Sequence, residues 1–252
     1  VARVAVFDSG LGSLSLVGPL MRATRGEVIY LADRRSYPYG AMSAARLGEA
    51  VRRSIVALRA RFSPDAVVVG SNTPSLLVPG VLGGRTVGVL PPVREAAAAS
   101  RTRSIAVLAT RSAARSAALA RHIERETAGR RCDVARIDAS ALVDIAERTT
   151  FLTQRPRCVT AIRDTLHRAF ERRSIDAATL SSTHLSLLLP LLRRTMPHVT
   201  FVDPAASVAA RVARIVGVAR GPATLSVYTT AAPARLAADL ARLGMPHAVS
   251  AL

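Results

Sequence analysis

Lysine and tryptophan are both missing from this chain, and aromatic residues of every kind make up only 4% of it. All 35 basic residues are therefore Arg, set against 17 Asp and Glu, for a formal charge of +18. A charge of that size would ordinarily point to nucleic acid, but a base-stacking surface needs aromatics interleaved with its cations. The arginines are instead spread along helical segments, as in Arg46, Arg52, Arg53, Arg59 and Arg61, and their runs stop at pairs such as Arg34-Arg35 and Arg172-Arg173. We read them as solvated helix faces, with a nucleic-acid or acidic protein partner as the less favoured alternative. Cysteine is scarce too. Cys132 and Cys158 cannot build a disulfide framework, lack metal-ligand spacing, and read as buried or incidental thiols. No apolar run reaches the roughly 18–20 residues that span a bilayer; the longest, Leu185 to Leu192, is interrupted by Ser186 and Pro190. The first residues read as a strand rather than a basic-then-apolar leader, so the expectation is a cytoplasmic protein without membrane association. Phosphate-loop, metal-cluster and dinucleotide fingerprints are missing as well; Gly10-Leu11-Gly12 lacks the third glycine that the last of these requires.

What is present is a regular alternation. With 252 residues, half of them apolar, the chain can bury one large core or two modest ones. Short apolar runs at Arg3–Phe7, Val28–Ala32, Ala66–Val69, Thr86–Val89, Ser104–Leu108, Asp133–Ile137, Ala177–Leu180, Val199–Val202 and Thr224–Tyr228 read as strands. Between them, Ala44–Arg61, Ser112–Thr127, Arg155–Arg172 and Pro233–Leu243 carry helical patterns; the first aligns Leu47, Val51, Ile55 and Leu58 on one face. This is the signature of βαβ units and parallel sheets. The break at Pro91-Pro92 and the new alternation from Ser104 predict two pseudo-symmetric α/β lobes with an active-site cleft between them. The first comprises residues 1–100 plus 206–252, the second 101–205.

The lobes share a motif. Ser71-Asn72-Thr73-Pro74-Ser75-Leu76-Leu77-Val78-Pro79 and Ser182-Thr183-His184-Leu185-Ser186-Leu187-Leu188-Leu189-Pro190 agree at Ser71/Ser182, Ser75/Ser186, Leu76/Leu187, Leu77/Leu188 and Pro79/Pro190. Each follows a buried strand and leads into a helix, which places hydroxyls at strand C-termini, where α/β proteins bind ligands. His184, two residues after Ser182, is the one histidine at a motif. With Asp8 or Asp144 it offers a nucleophile–base–orienter set for Ser-based hydrolytic or lyase chemistry.

Phe7-Asp8-Ser9-Gly10-Leu11-Gly12, Asp33, Pro38-Tyr39-Gly40, Ser71-Asn72-Thr73, Ala109-Thr110, Ser182-Thr183-His184 and Val202-Asp203 follow one another as in the glutamate racemase family, the cofactor-independent members of the aspartate/glutamate racemase superfamily. Tyr228-Thr229-Thr230 and the helix after it resemble the family's C-terminal return strand. The resemblance covers essentially the whole chain. It implies two α/β lobes, a small amino acid such as glutamate held between them, no pyridoxal phosphate or other cofactor, and often a homodimer. Asp8 and Ser9 would contact the amine and support the first catalytic position, and Pro38, Tyr39 and Gly40 would form a rigid carboxylate-holding loop. Asn72, Thr73 and Thr183 would surround the amino acid, and Asp144 in Leu142-Val143-Asp144 would support the second catalytic position.

The family's two catalytic positions are cysteines, in Cys-Asn-Thr and Cys-Thr-His; here they are Ser71 and Ser182. A thiol of pKa near 8.5 supplies thiolate at neutral pH. An alkyl hydroxyl is roughly five or more pKa units weaker as an acid, at about 1.4 kcal/mol per unit. Racemase activity is therefore expected to be absent or severely weakened. The pair admits three readings: deliberate replacement, a pseudoenzyme that keeps the binding pocket, or recruitment of the serines to other chemistry, with a non-catalytic interaction protein as a further alternative. Drift elsewhere favours natural divergence. The usual second glycine after Gly12 is Ser13, the usual Tyr-Pro after Thr-His is Leu185-Ser186, and the usual Glu-Pro is Pro91-Pro92.

Overall fold

In a computed structural model describing residues 2–252, the alternation of apolar runs and amphipathic segments becomes two sheets whose paired strands all run parallel. The strands are β1 (Arg3–Asp8), β2 (Glu27–Ala32), β3 (Ala66–Val69), β4 (Thr86–Gly88), β5 (Ser104–Ala109), β6 (Asp133–Asp138), β7 (Ala177–Ser181), β8 (Thr200–Val202), β9 (Thr224–Thr229) and β10 (Val249–Ala251). The helices are α1 (Leu14–Thr24), α2 (Ala44–Phe62), α3 (Asn72–Leu77), α4 (Val93–Ala99), α5 (Arg111–Ala114), α6 (Ala117–Thr127), α7 (Ser140–Glu147), α8 (Arg155–Arg172), α9 (Thr183–Leu187), α10 (Leu189–Thr195), α11 (Ala205–Val216) and α12 (Pro233–Arg242). The helix expected over Ser112–Thr127 is in fact two. Ser116 turns extended (φ −75°, ψ 144°) and its Oγ accepts from the Leu119 amide at 3.1 Å, which starts α6 afresh.

The chain divides into two compact units, one running up to Val89 and resuming at Ala205–Leu252, the other Leu90–Pro204. The first boundary falls earlier than the expected one. Helix α4 belongs to the second unit, where its buried Val93 and Ala96 lie on the side packed against β5, β7, β8 and α6. The crossover falls between Val89 and Leu90, just before Pro91-Pro92.

In the first unit the strand order is β10-β9-β2-β1-β3-β4. Ala5, Phe7, Ile29, Leu31, Val67 and Val69 share one core with Leu47, Val51, Ile55 and Leu58 of α2, the stripe read from the sequence. Alternate residues point to the other face, toward the packed pair α1 and α11. Covering both faces explains why the central strands are continuous apolar runs. Each fully buried leucine here contributes about 1.5–3 kcal/mol.

In the second unit the order is β6-β5-β7-β8, which repeats β2-β1-β3-β4. Ala106, Leu108, Ala178 and Leu180 pack against Leu142 and Ala146 of α7 and Ile162, Leu166 and Phe170 of α8. Strands β3 and β7 thus hold the same place in their sheets, beside β1 and β5. Among the described residues no helix is long and apolar enough to cross a membrane.

Candidate functional site

The repeated motif falls where this topology is most exposed to a ligand, at the C-terminal ends of β3 and β7. Ser71 and Ser182 are the N-cap residues of α3 and α9, with nearly the same extended backbone (φ −136°, ψ 135° and φ −146°, ψ 129°). A serine at that position ordinarily caps its helix. Neither side chain does so here. Ser71 is half-buried and Ser182 buried.

The residues after them differ in an informative way. Asn72 is only 2% exposed, yet both its Oδ1 and Nδ2 are buried with no hydrogen-bond partner. A primary amide left so is costly, by about 1–3 kcal/mol per unsatisfied group. Thr73 and Thr183 are buried as well, one in each turn. Ser75 serves the fold. Its Oγ donates to the Ser71 carbonyl at 2.8 Å and accepts from the Val89 amide at 3.0 Å, tying α3 to the end of β4. Its counterpart Ser186 has a buried Oγ without a partner.

Around the end of β1 the first unit gathers buried polar groups. Asp8 Oδ1 accepts from the Ser9 amide at 2.7 Å, and Ser9 Oγ accepts from the Tyr39 amide at 3.4 Å. The loop entering Pro38-Tyr39-Gly40 has a cis Tyr37-Pro38 bond; Pro38 is exposed, Gly40 half-buried and Tyr39 buried. The Tyr39 hydroxyl donates to Asp33 Oδ2 at 3.2 Å. Burial, then the nearby charges of Asp33 and Asp8, push this phenol well above the usual tyrosine range. Asp33 belongs to the motif series but not to the expected site residues. It is a hub, accepting also from Ser54 (3.0 Å) and Thr230 (3.0 Å). The Tyr39 amide, in the loop expected to hold a carboxylate, is already engaged by Ser9 Oγ at the end of β1.

In the second unit His184 is buried and its Nε2 lies 2.9 Å from Glu147 Oε2, both side chains nearly enclosed. Asp144, the expected acidic partner, stands on the exposed side of α7. Helical phase explains the difference. Glu147 lies one turn beyond buried Val143 and shares its face, whereas Asp144 falls with Ala141 and Arg148 toward solvent. Among the described residues Ser182 Oγ makes no hydrogen bond to His184, so the nucleophile–base contact of a triad is not formed. The base–orienter half exists, with Glu147 in place of an aspartate.

No protein-family model matches the chain, whereas individual proteins do. The chain is 35% identical over 220 residues to the glutamate racemase of Granulibacter bethesdensis, across 85% of this chain and 78% of that one. It is 33% identical over 254 residues to the glutamate racemase of Deinococcus radiodurans, across 95% and 86% of the two. Among solved structures, Escherichia coli glutamate racemase in complex with L-glutamate and the activator UDP-MurNAc-Ala superposes with a TM-score of 0.84. That match is 26% identical and covers 100% of this chain and 98% of the other.

Proposed function

The chain belongs to the glutamate racemase family, and from that premise we propose that it binds glutamate or a closely related amino acid at the two serine turns while racemising it slowly or not at all. The observation that carries the binding half is Asn72, whose buried amide has no partner at either end. A carboxylate accepts from Nδ2 and an ammonium donates to Oδ1, so an amino acid satisfies what the fold leaves open. The Escherichia coli relative, solved with L-glutamate, supports glutamate as the first ligand to try.

The catalytic half follows from chemistry. Exchange at the α-carbon requires one group to remove the proton and another to return one from the opposite side. The family resemblance assigns those roles to cysteines at the positions of Ser71 and Ser182. A thiolate can take a proton of low acidity; a neutral hydroxyl cannot until another base has removed its own proton. Glu147 with His184 would have to serve Ser182 in that way, and Asp8, at the end of the strand beside the one that leads into Ser71, would have to serve Ser71. Each serine then works only through a second group, which slows exchange in both directions. Asp8, Ser9, Thr73 and Thr183 would hold the ligand, with Pro38, Tyr39 and Gly40 shaping the loop beside it.

The test is direct. Glutamate should bind in calorimetry, while incorporation of solvent deuterium at its α-carbon should be at background. The Ser71→Cys, Ser182→Cys double variant should restore exchange if the pocket is intact. Absence of glutamate binding would end the reading. A second reading, favoured by the His184–Glu147 pair alone, takes Ser182 as a nucleophile. Labelling by a serine-directed phosphonate that His184→Ala abolishes would support it over the first.

A further inference from the structure

We propose that the second unit carries a binding site for a small phosphomonoester at the N-terminal end of its sheet, the end away from Ser182. The last turn of α4, the residue before β5 and the connection from α6 to β6 border an open concavity of about 330 Å³ lined by Ala97, Ala98, Ser100, Arg103, Arg130, Arg131 and Cys132. This cavity is separate from the serine turns and does not depend on the activity assigned to them. Ser181, which pairs with Ala109 at the far end of β5, is separated from Arg103 by the length of a six-residue strand, roughly 20 Å.

Three arginines, all exposed, border this one concavity, and no acidic residue does. Of the nineteen arginines in this unit, Arg94 pairs with Glu126 at 3.2 Å, Arg111 with Asp138 at 2.8 Å and Arg173 with Asp133 at 3.6 Å. Among the described residues the side chains of Arg103, Arg130 and Arg131 have no such partner. The nearest acids are committed elsewhere. Asp133 faces Arg173, and Asp176 accepts from Ser100 Oγ (2.5 Å), Thr102 Oγ1 (2.9 Å) and the amides of Arg101 (2.8 Å) and Thr102 (3.1 Å). Burial, with Asp133 and Asp176 nearby, pushes the Cys132 thiol up, so it adds no negative charge.

Three like charges around a hollow repel one another, and an anion removes that repulsion. Arg is also the side chain best shaped for phosphate oxygens, through paired N–H donors. A phosphomonoester supplies close to two negative charges at neutral pH and enough oxygens for three guanidinium groups. The volume exceeds what bare phosphate fills, since a water molecule takes only about 30 Å³. The Ala97 and Ala98 methyls form an apolar wall for the organic body of the ester.

Arg103 sharpens the assignment. Its φ of 60° is left-handed, a conformation that bulky side chains seldom adopt and that glycine takes freely. This gives a variant that removes the guanidinium without threatening the fold.

Calorimetric titration of the full chain at fixed ionic strength, with glycerol 3-phosphate, inorganic phosphate and glycerol as probes, tests the proposal. Glycerol 3-phosphate should bind more tightly than inorganic phosphate, and glycerol not at all. Arg103→Gly should weaken the ester at least about tenfold without lowering the melting temperature, and Arg130→Ala with Arg131→Ala should do the same. Arg121→Ala, on an exposed turn of α6 outside the cavity, should leave binding unchanged. No heat from glycerol 3-phosphate, equal affinity for inorganic phosphate, unaltered binding in Arg103→Gly, or equal loss in Arg121→Ala would each overturn it.

Discussion

Ser13 occupies the space that a side chain at Gly70 would need. A Cβ on Gly70 would lie 2.4 Å from Ser13 Cβ and 3.0 Å from the Phe7 carbonyl, while Ser13 Oγ is buried without a partner. The two positions therefore form one packing unit directly behind Ser71. Gly70→Ala should cost about 1–3 kcal/mol through overpacking. Adding Ser13→Gly should recover most of that loss, with a coupling of about 1 kcal/mol or more in urea unfolding. A double variant whose loss equals the sum of the single losses would show that the positions are independent.

The amide of Asn72 is buried with neither polar atom hydrogen-bonded among the described residues. Asn72→Leu keeps the volume and removes two unsatisfied polar atoms, so thermal stability should hold or rise. Glutamate affinity should fall at least about tenfold. Stability and binding moving down together would mean that the amide is structural.

Glu147 and Asp144 sit one turn apart on α7 and make opposite predictions. Glu147→Ala removes the carboxylate 2.9 Å from the buried His184 Nε2 and should cost about 1–3 kcal/mol. Glu147→Gln, which can still accept from Nε2, should cost less, and Asp144→Ala should stay within about 0.5 kcal/mol of the parent. Chemical denaturation of the three variants gives the order.

Tyr39 sets an alkaline limit. Its folded pKa is raised, so the folded state holds the phenolic proton more tightly than the unfolded chain does. The stabilisation is complete below the unfolded value of about 10 and is lost as pH rises from there toward the folded one. Tyr39→Phe should lower stability at neutral pH by about 1 kcal/mol and flatten the decline above pH ~10, as read from unfolding midpoints across an alkaline series.

Asp176 sets an acid limit with the opposite sign. Burial would raise its pKa, but the hydrogen bonds from Ser100, Arg101 and Thr102 outweigh burial and hold it below the usual carboxylate range. Its contribution is present above the unfolded value of about 3.9 and disappears as pH falls through the lower folded one. Asp176→Asn should show a shallower acid limb in the same unfolding measurement.

Much of the architecture is legible because parallel strands buried on both faces leave uninterrupted apolar runs, as at Val4–Phe7 and Ala66–Val69. Strand β10 leaves none: Val249–Ala251 is short and mostly exposed. Gly18 and Pro19 inside α1 mask its helical pattern, and Ser116 is too ordinary a helix residue to announce a restart. At the site, the twin serines are visible as a repeat because the same strand–turn–helix is built twice. Glu147 is legible in principle from the phase of Val143 on α7, but the Leu142-Val143-Asp144 tripeptide points to Asp144, on the exposed side of the helix. The isolation of the Asn72 amide has no sequence signal at all, since it depends on what other elements fail to reach.

Strand β9 lies between β2 and β10 although it is separated from β2 in sequence by the whole second unit. During synthesis, one edge of β2 consequently waits with open amides and carbonyls until Thr224–Thr229 has left the ribosome. The second unit is one continuous stretch and can close earlier. Translation therefore finishes the inserted half before the half that began the chain, and the interval between them is when this protein is most exposed to wrong pairing with other nascent chains.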